Sequence, residues 1–329
     1  MESTNSCRFS RYLPFRTSCL KIIMMNICNG MLLLAEILFI ILKVFYFICE
    51  SIFTIFIPMT KKSVANEIVL VTGAGHGIGK ELAIGYASLG ATVVCWDINE
   101  ETNKQTMNEI KMMGKNAVYA YQCNVTDREE VFKVAGNVRE EVGDVTILVN
   151  NAGAVCIKKL LDQSADEIVR IIDINLISHY WMLQAFLPNM IKKNHGHIVA
   201  ISSVTAFCGA AYGTIYCPTK SAIKVLMEAI SDELRIHSKG KSLIKFTTIY
   251  PFFVSTGFVK KLTIRFPNIL KELKPQKVAS LTIDAQRKNL EERSIPSHLL
   301  PMLYLMRFLP NKAISCIYDF IDIGVNADD

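Results

Sequence analysis

An apolar, β-branched run at residues 67–71 leads directly into Thr72-Gly73-Ala74-Gly75-His76-Gly77-Ile78-Gly79, and a helical pattern over 80–88 follows at once. Few folds accommodate that order. Glycines at 73, 77 and 79 permit a tight turn and let backbone approach a bulky anion, while the free N–H groups of the next helix add a partial positive charge. A glycine-rich turn alone would mean little. Set between a strand and a helix, it marks a nucleotide site.

The same texture continues down the chain. Strand-like runs at 92–96, 117–122, 146–149, 197–201 and 243–250 are separated by longer helical patterns. Strands alternating with helices predict βαβ units, and so an α/β chain with one doubly wound parallel sheet covered on both faces. The second run ends at Asp97, 18 residues beyond Gly79. A carboxylate there accepts hydrogen bonds from an adenosine ribose and repels a 2′-phosphate. With no Arg or Lys from Cys95 to Asn99, the expected cofactor is NAD in preference to NADP. An ordinary Asp closing a strand is the alternative reading.

The front of the chain differs. Residues 31–59 read MLLLAEILFIILKVFYFICESIFTIFIPM, too long for a signal-peptide core. Its charges Glu36, Lys43 and Glu50 recur every seven residues and form one narrow stripe on a helix. A charge at mid-bilayer costs about 2.5–3.5 kcal/mol, so a monotopic or hairpin anchor is favoured here over a spanning helix. A turn at 26–30 (NICNG) would make the hairpin, and Pro58 with Lys61 and Lys62 would end the segment at the headgroups. Residues 1–62 hold seven Lys/Arg against three Glu, which supplies +4 of the chain's net +6. A basic, greasy front on a nearly neutral body suits an anionic membrane surface, not nucleic acid. The expected division is an anchor at 1–62 and a catalytic domain at 63–329. The ten cysteines are scattered with no C-x-x-C pair, so buried thiols in a reducing compartment are expected, with no metal site.

Four further motifs follow the glycine turn: Asn150-Asn151-Ala152-Gly153, then Asn175, then Ser203, then Tyr216 and Lys220 spaced Tyr-x-x-x-Lys. In this order the chain resembles the short-chain dehydrogenase/reductase family. The stretches Asn175-Leu-Ile-Ser-His-Tyr-Trp181, Ala185-Phe-Leu-Pro188 and Pro251-Phe-Phe-Val-Ser-Thr-Gly-Phe258 are similar to the branch holding epidermal retinol dehydrogenase and the lipid-droplet 17-beta-hydroxysteroid dehydrogenases. The likeness extends over about 31–320 and implies a Rossmann-type sheet behind an N-terminal hydrophobic anchor.

It also implies roles. Tyr216 serves as acid/base, Lys220 holds the nicotinamide ribose, Ser203 holds the substrate oxygen, and Asn175 supports a proton relay. Gly73, Gly77, Ile78, Gly79, Asp97, Asn124, Val125, Asn151, Ala152, Gly153, Pro251, Val254 and Thr256, with Tyr216 and Lys220, are the implied cofactor contacts. A free tyrosine titrates near pH ~10, too high for an efficient base. Lys220, one turn along the same helix face, is expected to lower that value together with the nicotinamide charge. Taken singly, these residues have plainer readings: a surface Tyr–Lys pair, a strand-end serine cap, a buried amide. Departures from the family pattern are Asn124 in place of Asp, Phe252 in place of Gly, Pro218 inside the Tyr–Lys motif, and Val204-Thr205-Ala206 after the serine.

A basic amphipathic stretch after Phe258 reads as a substrate lid over about 258–275, and residues 302–309 (MLYLMRFL) as a second apolar contact. A solvated helix and core packing are their plainer readings. The functional expectation is oxidation or reduction of a lipophilic alcohol or ketone, such as a retinol or steroid. The enzyme would act at the endoplasmic reticulum or lipid-droplet surface with its catalytic part facing the cytosol, as a homodimer. An NADPH-dependent ketone reductase and an inactive membrane scaffold are the rival readings.

Overall fold

The computed structural model describes residues 13–56, 59–115, 117–258, 262–266 and 271–325. It divides after Thr60 into two units. In the first, the described residues include one helix, α1 (Leu13–Phe56), of 44 residues. It runs unbroken through Asn26 and Gly30, so the hairpin turn expected there does not form. One glycine costs a helix only about 1 kcal/mol against alanine, too little to interrupt a ladder this long. Residues Asn29–Glu50 form a stretch of 22 with mean hydropathy 2.5, about 33 Å of helix at 1.5 Å per residue. By length and composition alone that matches a bilayer core. Lys43 lies over the Phe39 ring at 5.0 Å. Pro58, Arg8 and Arg11 lie outside the described residues.

The second unit follows in chain order. It comprises β1 (Ile68–Thr72), α2 (Gly77–Ser88), β2 (Thr92–Asp97), α3 (Glu100–Met112), β3 (Val118–Gln122), α4 (Arg128–Glu141) and β4 (Ile147–Asn150). Then come α5 (Ala165–Ile172), α6 (Ser178–Lys193), β5 (His197–Ile201), α7 (Tyr216–His237), β6 (Lys245–Pro251) and β7 (Leu262–Ile264). The described residues continue with α8 (Pro275–Arg287), β8 (Glu292–Ile295), α9 (Leu299–Met306), α10 (Asn311–Ile321) and β9 (Ile323–Val325).

Seven strands make one sheet in the order β3-β2-β1-β4-β5-β6-β8, all neighbours parallel. Alternation along each strand builds two cores. Val69 and Val71 of β1 point to one face, with Leu82 of α2, Ile110 of α3 and Val278 of α8. Leu70 points to the other, with Val131 of α4, Met182 of α6 and Ile223 of α7. The strand order reverses between β1 and β4, where a doubly wound sheet opens a crevice at the strands' C-terminal ends.

The seventh strand, β8, was not among the expected ones. Its sequence Glu-Arg-Ser-Ile has neither alternation nor a β-branched run, and only its pairing with β6 makes it a strand. A separate antiparallel pair joins β7 to β9. Within the expected lid, residues 259–261 and 267–270 lie outside the described residues.

Candidate active site

At the end of β1 the chain turns so tightly that Gly79 packs on it: a Cβ there would stand 2.0 Å from the Gly73 carbonyl oxygen. Gly77 sits at φ +59°, and its Cβ would stand 3.0 Å from Thr256 Cγ2. No other residue type fits both positions without strain. The helix α2 begins here with no side-chain cap, so its first N–H groups are left for a ligand. Asp97 at the end of β2 accepts from the Gly75 N–H and the Asn99 N–H, each at 2.9 Å. Those bonds hold its carboxylate beside the glycine turn.

The turn after β4 is fastened to the same loop. Thr72 Oγ1 accepts from the backbone N–H groups of Asn151 and Ala152 at 3.0 Å each. Asn151 Nδ2 donates to the Thr72 carbonyl at 2.9 Å.

The remaining site residues come from β5, α6 and α7. A π-helical segment, Asp173–Ile177, separates α5 from α6 and carries Asn175, which is fully buried. Its Oδ1 accepts from the Ala154 N–H and its Nδ2 donates to the Ala154 carbonyl, both at 2.8 Å. Nδ2 also reaches Thr219 Oγ1 at 3.2 Å. Thr219 in turn donates to the Tyr216 carbonyl at 2.7 Å, so Asn175 ties the β4 turn to the start of α7. Pro218 is the third residue of α7, where a missing N–H removes no helical bond.

Lys220 is buried; its Nζ donates to the Ile201 carbonyl at 3.0 Å and lies 5.6 Å from the centre of the Tyr216 ring. Burial lowers its pKa to about 8. Tyr216 is enclosed by protein yet faces the cavity, and burial pushes it up to about 12 against the pull of a Ser203 hydrogen bond, with a further push from Cys217. In the protein by itself Tyr216 is therefore raised, whereas the lowering expected above joins Lys220 with a nicotinamide charge. Desolvation outweighs the one hydrogen bond, and the ammonium is turned to Ile201.

These groups surround one cavity of about 340 Å³. Gly73, Gly77, Ile78 and Asp97 line one side, with Asn151, Ala152 and Gly153 beside them. Ser203, Tyr216 and Lys220 line another, and Pro251, Val254 and Thr256 a third. Four expected residues do not line it. Gly79 is packed behind the turn, and Asn175 is shut behind Ala154. Val125 belongs to the core with α4, and Asn124 Oδ1 accepts from the Thr126 N–H and hydroxyl.

A family described as short chain dehydrogenase matches residues 67–265. The chain belongs to this family. It is thus an oxidoreductase of the alcohol–carbonyl class. Among curated relatives, human 17-beta-hydroxysteroid dehydrogenase 13 is 38% identical over 85% of this chain and 92% of its own. Human epidermal retinol dehydrogenase 2 is also 38% identical, over 85% of this chain and 93% of its own. A metagenomic short-chain oxidoreductase solved in complex with NADP is 26% identical, with TM-score 0.58, covering 70% of this chain and 94% of its own. A short-chain dehydrogenase from Burkholderia phymatum in complex with NAD shares the fold, with TM-score 0.67 at 23% identity over 82% of this chain and 98% of its own.

Sequence reading overlooked three supports of this dehydrogenase site. Thr72 and Thr219 fasten the turn and the amide described above. Ser202 donates to the Lys220 carbonyl at 2.8 Å, joining the end of β5 to α7. Hydroxyl residues are too common for such roles to show in spacing, although Thr72 does stand inside the glycine motif. Several wall residues were also overlooked, among them His76 and Phe258, whose ring meets Tyr216 edge-on at 6.3 Å.

Proposed function

We propose that this dehydrogenase is an NAD-dependent enzyme interconverting a lipophilic alcohol with its aldehyde or ketone, with Tyr216 as the acid/base. One observation carries the reading. Ser203, Tyr216 and Lys220 share a single cavity with the glycine turn and Asp97, so a hydroxyl and a dinucleotide can meet there.

The residues present fit a nicotinamide dinucleotide. Close-packed glycines form a cradle that a Cβ would fill, and the uncapped N-terminus of α2 suits a pyrophosphate. Nicotinamide dinucleotides occupy the solved neighbours named above. Asp97 favours NAD, because an acidic side chain beside the adenosine ribose repels a 2′-phosphate. A nicotinamide held there would supply the hydride acceptor or donor and a positive ring charge. Ser203 then holds the substrate oxygen. Tyr216 takes or gives its proton, and that added charge with the Ser203 hydrogen bond counters the burial that pushes Tyr216 up. Asn175 keeps the start of α7 in register, and Lys220 stands one turn beyond Tyr216 to meet the nicotinamide ribose.

Apolar side chains support a lipophilic substrate: Val155, Ile157, Val204, Phe252 and Phe253 line the cavity beside Phe258. The curated relatives are named for a retinol and a 17-beta-hydroxysteroid. We assign α1 as the anchor and residues from about 258 to 275 as the lid. The enzyme then works at an endoplasmic-reticulum or lipid-droplet surface, facing the cytosol, as a homodimer.

The test is turnover by membranes carrying the full chain, supplied with NAD⁺ or NADP⁺ and with all-trans-retinol, a 17β-hydroxysteroid and a long-chain alcohol in parallel. NAD⁺-preferring oxidation of at least one substrate is expected. Preference for NADP⁺ would overturn the cofactor assignment. Cofactor binding with no turnover on any of them would favour a scaffold.

A further inference from the structure

Ser203 opens a single 3-10 turn, Val204–Ala206, and the chain leaves that turn through Phe207. Phe207 is gripped from several elements at once. Its ring packs edge-on against Tyr250 of β6 at 4.8 Å and against Tyr304 of α9 at 5.3 Å, between ring centres. Lys224 of α7 and Arg307, just past α9, each place a cation 5.8 Å from its centre. The two phenols converge on one carboxylate: Tyr250 donates to Oε1 and Tyr304 to Oε2 of Glu292 in β8, each at 2.5 Å. Lys224 Nζ lies 3.7 Å from the same carboxylate. Bonds from a hydroxyl to a carboxylate are short and roughly twice as strong as neutral ones, so Glu292 closes a ring of contacts around Phe207.

The location of this cluster gives it meaning. Phe207, Tyr250, Glu292 and Tyr304 are not among the residues lining the cavity, yet Val204, Thr205, Ala210 and Ala211, on both sides of Phe207, are. Glu292, Tyr304 and Arg307 also lie beyond residue 265, where the family match ends. Glu292, Tyr304 and Arg307 thus hold the serine loop from behind without lining the cavity.

We propose that Glu292 is a positioning residue: through Tyr250, Tyr304 and the Phe207 ring between them, it fixes the loop from Ser203 to Gly213 against Tyr216 and sets which alcohols the site accepts. The loop claim stands on the contacts alone; the consequence for substrate rests on the function proposed above. Replacing the carboxylate by an amide leaves one acceptor oxygen for two phenols and removes the charge, so one phenol stops donating and the grip on Phe207 loosens on that side. Tyr304→Phe removes a single hydroxyl at a half-exposed position and serves as the gentler variant.

The experiment compares wild type, Glu292→Gln and Tyr304→Phe in the full detergent-solubilised chain. Hydrogen exchange of residues 204–213, without cofactor, is expected to speed up on the order of tenfold in both variants, as for residues coupled in one network. Exchange over the glycine turn should not change. With turnover, preference for a bulky steroid alcohol over a short alkanol should fall by a similar factor, with NAD⁺ affinity unaltered. The pH profile of kcat/KM should move to higher pH, because the Ser203 hydrogen bond that restrains Tyr216 is loosened while Cys217 beside it, and Lys220 with its ammonium on Ile201, are untouched. Unchanged exchange in 204–213 would overturn the positioning role whatever the enzyme turns over. Faster exchange with unchanged substrate preference and pH profile would overturn its role in selection. A wild type that turns over no alcohol would sink the proposed function, while the exchange result still decides the loop.

Discussion

Lys62 Nζ stands 2.9 Å from Nδ1 of His197, a ring buried at the first residue of β5. Nε2 of the same ring meets Thr247 Oγ1 at 2.8 Å, and Gln286 Nε2 approaches Nδ1 at 3.3 Å. Backbone bonds add to the join: Lys62 N–H donates to the Arg287 carbonyl, and Arg287 Nε donates to the Lys62 carbonyl, both at 2.8 Å. Lys61 pairs with Asp284 at 2.8 Å. The two lysines read from sequence as a headgroup signal are therefore fastened into the catalytic body.

Lys62→Met in the full chain should lower stability. It leaves the buried His197 acceptor with only the longer Gln286 contact, a loss of about 1–3 kcal/mol. A fall of several degrees in the melting temperature in detergent is expected. An unchanged melt would show that the contact contributes nothing.

Acid should weaken the fold before it reaches the carboxylates. Burial lowers His197 well below its ordinary value, with Lys62 and Lys245 adding repulsion. Burial also lowers His179 to about 3, with Lys220 adding to it. Both rings fold neutral, so below pH ~6.5 the unfolded chain binds more protons and stability falls as pH falls. His179 alone contributes a loss of about 1.4 kcal/mol per pH unit between pH ~6.5 and its own value. Asp284 works in the same direction lower down. Burial would raise it, but hydrogen bonds from Lys61, Arg293 and Lys288 hold it below the usual carboxylate range. Its contribution is complete above pH ~4 and is lost in stronger acid. Thermal melts from pH 7.5 to 5 should show a steady decline, flattened in His179→Gln; a flat wild-type profile contradicts this.

Asp97→Ser should move cofactor choice toward NADP⁺. Removing the charge ends its repulsion of a 2′-phosphate and frees the Gly75 N–H. The ratio of kcat/KM for NAD⁺ over NADP⁺ should fall at least about tenfold, equivalent to roughly 1.4 kcal/mol. An unaltered ratio would place the determinant elsewhere.

Much of this was legible in the sequence because periodicity and spacing are local. The run at 197–201 became β5 over those same residues, and Thr72 to Gly79 became the turn entering α2. Residues that act through distant partners left no trace. β8 is a strand only because β6 lies beside it, and Lys62 meets a histidine 135 residues away. The direction in which Tyr216 shifts depends on how much protein surrounds it, which spacing does not encode. The helix through Asn26 and Gly30 shows the converse error, where two local turn formers were outweighed by a long apolar helix.

The most direct test of the account is hydride transfer by Tyr216→Phe, followed as NADH formation in one turnover with NAD⁺ at saturation. The phenyl ring keeps the packing against Phe258 and removes only the hydroxyl. NAD⁺ affinity should stay within about twofold while the transfer rate falls by roughly 10²–10⁴, the usual contribution of a positioned acid/base. A variant that binds NAD⁺ and transfers hydride at the wild-type rate would contradict the assignment of Tyr216.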